Sequence, residues 1–350
     1  MKTYCLRIAS AALTALVLGA CHHIEKWDND VYGNFDALWT ELDQHYCFFE
    51  AKGIDWEEVG ARHRARLKPD MEATEFFGVC ADMLNELEDG HTNLSSWFDV
   101  SYYRRWWSDY PQNFNLRLIQ ENYLHFDYSS GGPIIYKVLE DENVGYMRYS
   151  TFAADYGMSF VDNMMLTMRE CDGLIIDVRD NGGGNLTTVE KLVSQFIIDP
   201  IPAGYIQHKT GPGHNDFSEP FPYSIEPASE HVRWLKPVVV LTNRSPFSAA
   251  HKILLIMHSL PHVAIVGDVT GGGSGMPYSS EIPCGWSVRF SACPIYDADM
   301  NLTEWGVQPS PGCKIDMDRQ AEYNGRDTIL DFAIALIQAA TDKEDDKNEE

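Results

Sequence analysis

A chain of 350 residues with 52 acidic against 27 basic side chains carries a formal charge of −25. Such a surface repels a phosphate backbone, which excludes nucleic acid as a partner. The length suits one large domain, or one with a small appendage, and a sizeable buried core.

The chain starts with Lys2 and Arg7, then an apolar stretch over 8–18 that is too short to cross a bilayer as a mature helix. It ends in Leu18-Gly19-Ala20-Cys21, which resembles the cleavage box of bacterial lipoproteins. Residues 1–20 are therefore expected to be a signal peptide, with Cys21 acylated as the new N-terminus. No later stretch is long and apolar enough to be a membrane span. The expected location is the bacterial cell envelope, with the body lipid-anchored to the outer membrane, periplasmic or surface-exposed. Cys47, Cys80, Cys171, Cys284, Cys293 and Cys313 would remain, and nothing selects a pairing among them. Neither a C-x-x-C pair nor a His-Glu-x-x-His helix occurs, so no metal is expected.

From 31 to 89 the pattern is helical: Phe35, Leu38, Trp39, Leu42, Tyr46 and Phe49 recur at three-to-four spacing. Segments 56–67 and 74–87 follow, separated by Gly53 and Pro69, so three helices are expected in an N-terminal subdomain over 21–91. The aromatic stripe reads as core. Glu88-Asp89-Gly90-His91 ends the third helix, with Gly90 suited to the position just past it and His91 opening an extended segment. Residues 92–142 read as an extended β connector, with short strands at 116–119, 123–126 and 134–138.

Strand and helix then alternate through 143–340: strands 144–149 and 173–178 flank a helix at 156–169, and another helix covers 187–198. Strand 237–243, helix 248–260 and strand 263–267 continue the series, with β structure at 288–290 and a last helix at 327–339. The fold class is α/β with crossover connections. The acidic run 341–350 reads as a disordered, solvated tail.

Ser248 stands between the apolar run Pro237-Val238-Val239-Val240-Leu241-Thr242-Asn243 and a helix. A helix start offers unpaired N–H groups and partial positive charge to a developing oxyanion. Alone, Ser248, or Ser245 ahead of Pro246, reads first as a plain cap. Asp177-Val178-Arg179-Asp180-Asn181-Gly182-Gly183-Gly184 ends another apolar strand, its glycines leaving room for close backbone approach. It is not a dinucleotide fingerprint, and Thr270-Gly271-Gly272-Gly273-Ser274-Gly275 is not a phosphate loop, since no lysine follows.

In this order, the Asp-Gly-His-Thr segment, the Asn-Gly-Gly-Gly turn, the strand–Ser-Ala-Ala helix, Val266-Gly267-Asp268-Val269-Thr270-Gly271-Gly272 and Glu304-Trp305-Gly306-Val307-Gln308-Pro309 resemble one family. It is the tail-specific, or C-terminal processing, serine peptidases, including the tricorn core. The resemblance spans roughly 31–312 and implies a crotonase-like (ClpP/crotonase) α/β core with an N-terminal helical subdomain, no cofactor, and peptide or unfolded-protein substrates. It implies Ser248 as nucleophile, and the N–H groups of Ala249 and Gly183 as oxyanion hole. Many members use a downstream lysine as base; that region here is Gly272-Gly273-Ser274.

The tricorn-like branch uses a His and a Glu matched by His91 and Glu304, completing a Ser-His-Glu triad. His251, three residues past the serine where relatives carry Glu, is a rival base, and Lys252 a weaker one with no sign of burial. The span before 144 is too short for the usual PDZ module. A non-catalytic carrier of apolar ligands or peptides on the same core, and an esterase using the same triad, are the competing readings.

Overall fold

The computed structural model describes residues 27–349; the expected signal peptide and Cys21 lie outside them. Four helices open the chain: α1 (Val31–His45), α2 (Phe49–Lys52), α3 (Trp56–Arg64) and α4 (Ala73–Asn85). Asp30 and Asp55 cap α1 and α3 by accepting the Gly33 and Glu58 N–H groups, satisfying donors that the helix leaves open. Their apolar faces, among them Leu38, Leu42, Trp56, Phe76, Phe77 and Met83, are buried together.

Segment 92–142 departs from the expected connector. After β1 (Asn93–Ser95) it forms α5 (Arg105–Ser108) and α6 (Leu116–Asn122), and only then β2 (Ser129–Gly131) and β3 (Ile134–Leu139). Residues 116–119, read as a strand, are helical because the Asn115 side chain accepts the Leu118 N–H and sets a helix start. Residues 123–126 form a turn, with His125 and Phe126 at positive φ, so they extend no strand.

The main sheet has six strands in the order β2-β3-β4-β5-β8-β9, where β4 is Val144–Tyr149, β5 Gly173–Asp177, β8 Val238–Thr242 and β9 Val263–Gly267. Its β4, β5, β8 and β9 run parallel, while β2 and β3 join antiparallel at one edge. Every residue of β5 and of β8 is buried, as a sheet covered on both faces requires. Helices α7 (Met158–Thr167), α8 (Leu186–Val193) and α9 (Ala249–Met257) cover one face, where Leu174, Ile176, Val238 and Val240 meet Val161, Leu192 and Ile253. Alternate residues Ile175, Val239 and Leu241 point to the other face and pack on α6 and on α11 (Thr328–Glu349). The tail expected to be disordered from 341 instead continues α11 to Glu349, in line with the helix propensity of its Ala, Lys and Glu residues.

A second sheet runs β1-β11-β6-β7, with β10 (Gly275–Glu281) paired to β11 (Ser287–Tyr296), and β6 (Ile201–Ile206) and β7 (Phe221–Ile225) on its far side. The β10–β11 hairpin does not belong to the α/β core alone. Its Ile282, Trp286, Val288 and Phe290 pack among the N-terminal helices, with the Trp286 ring 5.4 Å from both Phe76 and Phe77. Short α10 (Arg319–Tyr323) precedes α11. The six cysteines are all free thiols.

Candidate active site

Strands β5 and β8 run parallel in register, Asp177 beside Leu241, so both deliver their following turns to the same sheet edge. That edge, past the carboxyl ends of the strands, is where open α/β sheets bind ligands. The turn after β8 leads into Ser248, which has φ +57° and ψ −120°. A non-glycine residue there is strained by about 1–3 kcal/mol and must be held by its surroundings. The Ser248 N–H donates to Gly272 O at 2.9 Å, and Lys252 N–H returns to Ser248 O at 2.9 Å, fixing the turn from both sides. The Ser248 side chain makes no capping hydrogen bond, so the plain-cap reading has no support in the geometry.

The Asn-Gly-Gly-Gly turn lies against this serine. Gly183 has φ +98°, and a side chain on it would stand 2.5 Å from Phe247 O and 3.0 Å from both Ala249 N and the Ser248 Cβ. Only glycine permits that approach. Asn181 locks the turn, its Nδ2 donating to Tyr149 O at 2.9 Å and its Oδ1 accepting the Gly183 N–H at 2.9 Å. The Ala249 N–H, first of α9, has no partner among the described residues. Of the two expected oxyanion donors, one is therefore free and the other is engaged with Asn181.

His91 is 2% exposed, and neither ring nitrogen has a hydrogen-bond partner. Its ring packs on Phe247, the residue before Ser248, at 4.6 Å, and Trp106 stacks on Phe247 at 4.8 Å. The Asp89 carboxylate accepts the His91 backbone N–H at 2.7 Å, which fixes the backbone but leaves the ring unheld. Burial lowers the imidazole to about 4, with Arg289 and Lys52 adding to this and Asp89 opposing it.

Glu304 is equally buried and faces elsewhere. Its Oε2 accepts the Ser274 N–H at 2.7 Å and its Oε1 lies 3.3 Å from the Lys52 ammonium. Burial and Asp89 push this carboxyl up to about 8, against the pull of Lys52 and the Ser274 N–H. Among the described residues no hydrogen bond joins Ser248 to His91 or His91 to Glu304; the three gather through Phe247 and the glycine loop, not through direct contact.

Sequence reasoning missed Lys52. It reads as a surface lysine at a helix end, yet it donates to Leu87 O at 3.1 Å and Glu88 O at 3.0 Å as well as pairing with Glu304. It thus ties the segment leading to His91 onto the Glu304 loop. His251 is committed to a network, its Nδ1 at 2.8 Å from Thr270 Oγ1 and its Nε2 at 3.1 Å from Thr303 Oγ1 and 3.2 Å from Ser274 Oγ. Burial, with Lys252 and His91, lowers its imidazole to about 3. Lys252, expected to lie unburied, is 5% exposed, because β6, β7 and the end of β11 cover that side of α9. Burial lowers its ammonium to about 8, opposed by Asp297 and Glu190. Ser248, His251 and Lys252 line one cavity of about 320 Å³ together with Gly273, Met276 and Arg289.

Comparison with known proteins agrees with this architecture. Residues 143–310 match the model of peptidase family S41, and residues 28–85 that of the tricorn protease C1 domain. A candidate peptidase from Parabacteroides merdae ATCC 43184 superposes with a TM-score of 0.84 at 45% identity, over 89% of this chain and 97% of that one. The carboxy-terminal processing protease CtpB of Bacillus subtilis (strain 168) is 29% identical over 180 residues, which is 51% of this chain but 35% of CtpB. Mature CPAF in complex with lactacystin shares the fold at a TM-score of 0.71 and 12% identity, over 90% of this chain and 99% of that one. On the fold, the matched segments and the near-complete coverage of a 45% identical relative, this chain belongs to peptidase family S41, a family of serine-type peptidases.

Proposed function

We propose that this chain is an extracytoplasmic serine endopeptidase that cleaves unfolded or C-terminal peptide segments, with Ser248 as nucleophile, His91 as base and Glu304 as the acidic member. The observation that carries the reading is Ser248 held at φ +57° against Gly183 at the head of α9. Strain of this kind persists where function needs it, and here it points a hydroxyl into a cavity beside an unpaired helix N–H.

His91 is the base on three grounds. It touches the residue preceding Ser248, it is neutral at physiological pH, and its ring has no competing hydrogen bond. Buried polar groups are nearly always satisfied, so two bare imidazole nitrogens mark a group with no structural hydrogen bond to give up before it acts as a base. Catalytic hydrogen bonds are often absent before substrate binds and tighten in the complex. His91 then takes the Ser248 proton and passes it to the leaving amine. Glu304, held by Lys52 and Ser274, supplies negative potential for the imidazolium only in its ionised form, which a carboxyl pushed up to about 8 reaches toward alkaline pH, and the Ala249 N–H, joined by that of Gly183 on release from Asn181, receives the oxyanion.

His251 is the lesser candidate because both of its ring nitrogens are engaged. Lipid attachment at Cys21 and a place at the outer membrane belong to the same reading. A fluorophosphonate probe tests it: covalent labelling at Ser248, with peptide turnover lost in step, is expected. An unlabelled Ser248 in a folded, probe-exposed protein returns the chain to the carrier reading.

A further inference from the structure

The cavity beside Ser248 contains two cations without an ion-pair partner. Lys252 rises from α9 one turn past Ser248, and side chains on a helix lean toward its N-terminus, here the Ser248 end. Its ammonium reaches only Tyr296 O, at 3.5 Å, and the face of the Tyr223 ring, at 4.9 Å. Glu190 and Asp297 are near enough to act on its charge, but neither forms an ion pair with it among the described residues. Arg289, half-buried on β11, forms the other wall; Asp89 is near enough to act on its charge, but its guanidinium has no hydrogen bond or ion pair among the described residues.

Two other buried cations have ion-pair partners, while Arg148 donates to the Arg179 carbonyl. Lys52 is paired with Glu304, and Arg179 with Asp177 and Asp327. A buried charge without a partner is costly, so its retention beside a reactive hydroxyl asks for a counter-ion from outside. Leu186, Met276, Pro277 and Ile295 add apolar wall beside the neutral Asn185, Thr187 and Ser274, and strengthen a charge contact made within the cavity.

We propose that this cavity receives a carboxylate of the substrate peptide, held between Lys252 and Arg289 next to Ser248. The proposal rests on the peptidase reading and adds the substrate class to it. A carboxylate is the anion a peptide carries, either as an Asp or Glu side chain or as the free C-terminus. It supplies the ion-pair partner that both cations lack. The guanidinium offers a planar pair of donors to such a group, and the ammonium a single strong one.

The test measures binding on the full-length Ser248→Ala protein, so that turnover does not enter. Short fluorescein-labelled, alanine-rich peptides carry a central Glu or Gln, each with a free or an amidated C-terminus, and anisotropy gives Kd. The acid form should bind roughly 10–100-fold tighter than its neutral counterpart. Tighter binding of Glu over Gln assigns the side chain as the source, and tighter binding of free over amidated ends assigns the C-terminus. Adding Lys252→Met or Arg289→Gln should collapse the ratio toward one. Should Lys252→Met fail to fold, Arg289→Gln, half-exposed and unpaired, carries the test alone. Four equal Kd values, or a preference untouched by Arg289→Gln, overturn the proposal. Wild-type turnover of the same peptides separates the two levels. Cleavage without acid-selective binding removes the carboxylate site and keeps the peptidase, whereas acid-selective binding without cleavage removes the peptidase and keeps the site.

Discussion

Two buried polar clusters flank the turn after β5, and they are finished to different degrees. Around Arg179 every strong donor is used: its Nε and Nη2 hold Asp177, its Nη1 holds Asp327, and Tyr146 and Arg148 complete the shell. Asp327 also accepts the Ile329 and Leu330 N–H groups, so the cluster ties the end of β5 to the start of α11. Burial alone would raise Asp177, but Arg179 holds it below the usual carboxylate range. Around His91 the reverse holds. Both ring nitrogens, one Asp89 oxygen, the Thr92 hydroxyl and the Trp106 N–H are buried without partners. The first cluster is scaffold, closed to anything new. The second is left unsatisfied, at a cost in stability, behind Phe247 and the serine that follows it.

The sharpest way to break this contrast is to remove the serine. Ser248→Ala should lower kcat/KM roughly 10⁴–10⁶-fold while leaving the denaturation midpoint unmoved, since the hydroxyl makes no cap. Residual turnover within tenfold of wild type would sink the nucleophile assignment. Arg179→Met should act on stability, costing about 3–5 kcal/mol in urea unfolding, because two buried carboxylates lose their counter-ion. A loss below about 1 kcal/mol would mean that the closed cluster is no scaffold. Gly183→Ala comes next, with about 3 kcal/mol added to the barrier as the turn is forced away from Phe247 O and the Ala249 N–H.

The smallest effect is a displacement in pH. A base works in its neutral form, so the rate rises as pH climbs through the base's own pKa. With His91 held down to about 4, the acidic limb should lie well below the unperturbed imidazole value, near 6.5, with a plateau by about pH 6. A limb near 8 would instead point to Lys252 or to ionisation of Glu304, and loss of that limb in Lys252→Met but not in Glu304→Gln would make the lysine the base.

Much of this could be read from the chain. The helical start, the four parallel strands of the main sheet and the helices between them follow from periodicity and apolar runs, and the loops bearing Ser248, Gly183, His91 and Glu304 stand out through the family resemblance, whereas β6, β7 and β10 go unread. The failures have physical causes. Leu116-Arg117-Leu118-Ile119 is too short for its period to separate helix from strand, and the deciding signal was Asn115 as a cap. Lys52, Lys252 and Arg289 act through partners or walls far along the chain, at Glu304, Tyr296 and Met276, and no local pattern records such encounters. Nor could spacing reveal that Glu304 turns to Lys52 and leaves His91 bare.

The β10–β11 hairpin is a shared strut. Its Val288, Phe290 and Ala292 pack among the N-terminal helices, while Met276, Pro277 and Arg289, which alternates with them, form a wall of the serine's cavity. A cut between residues 91 and 143 would therefore pass through a common core instead of freeing two modules, and would leave Trp286 stripped of Phe76 and Phe77. The helices therefore brace one wall of the cavity from behind, and a substitution that loosens Phe76 or Phe77 against Trp286 strains the strand that carries Arg289.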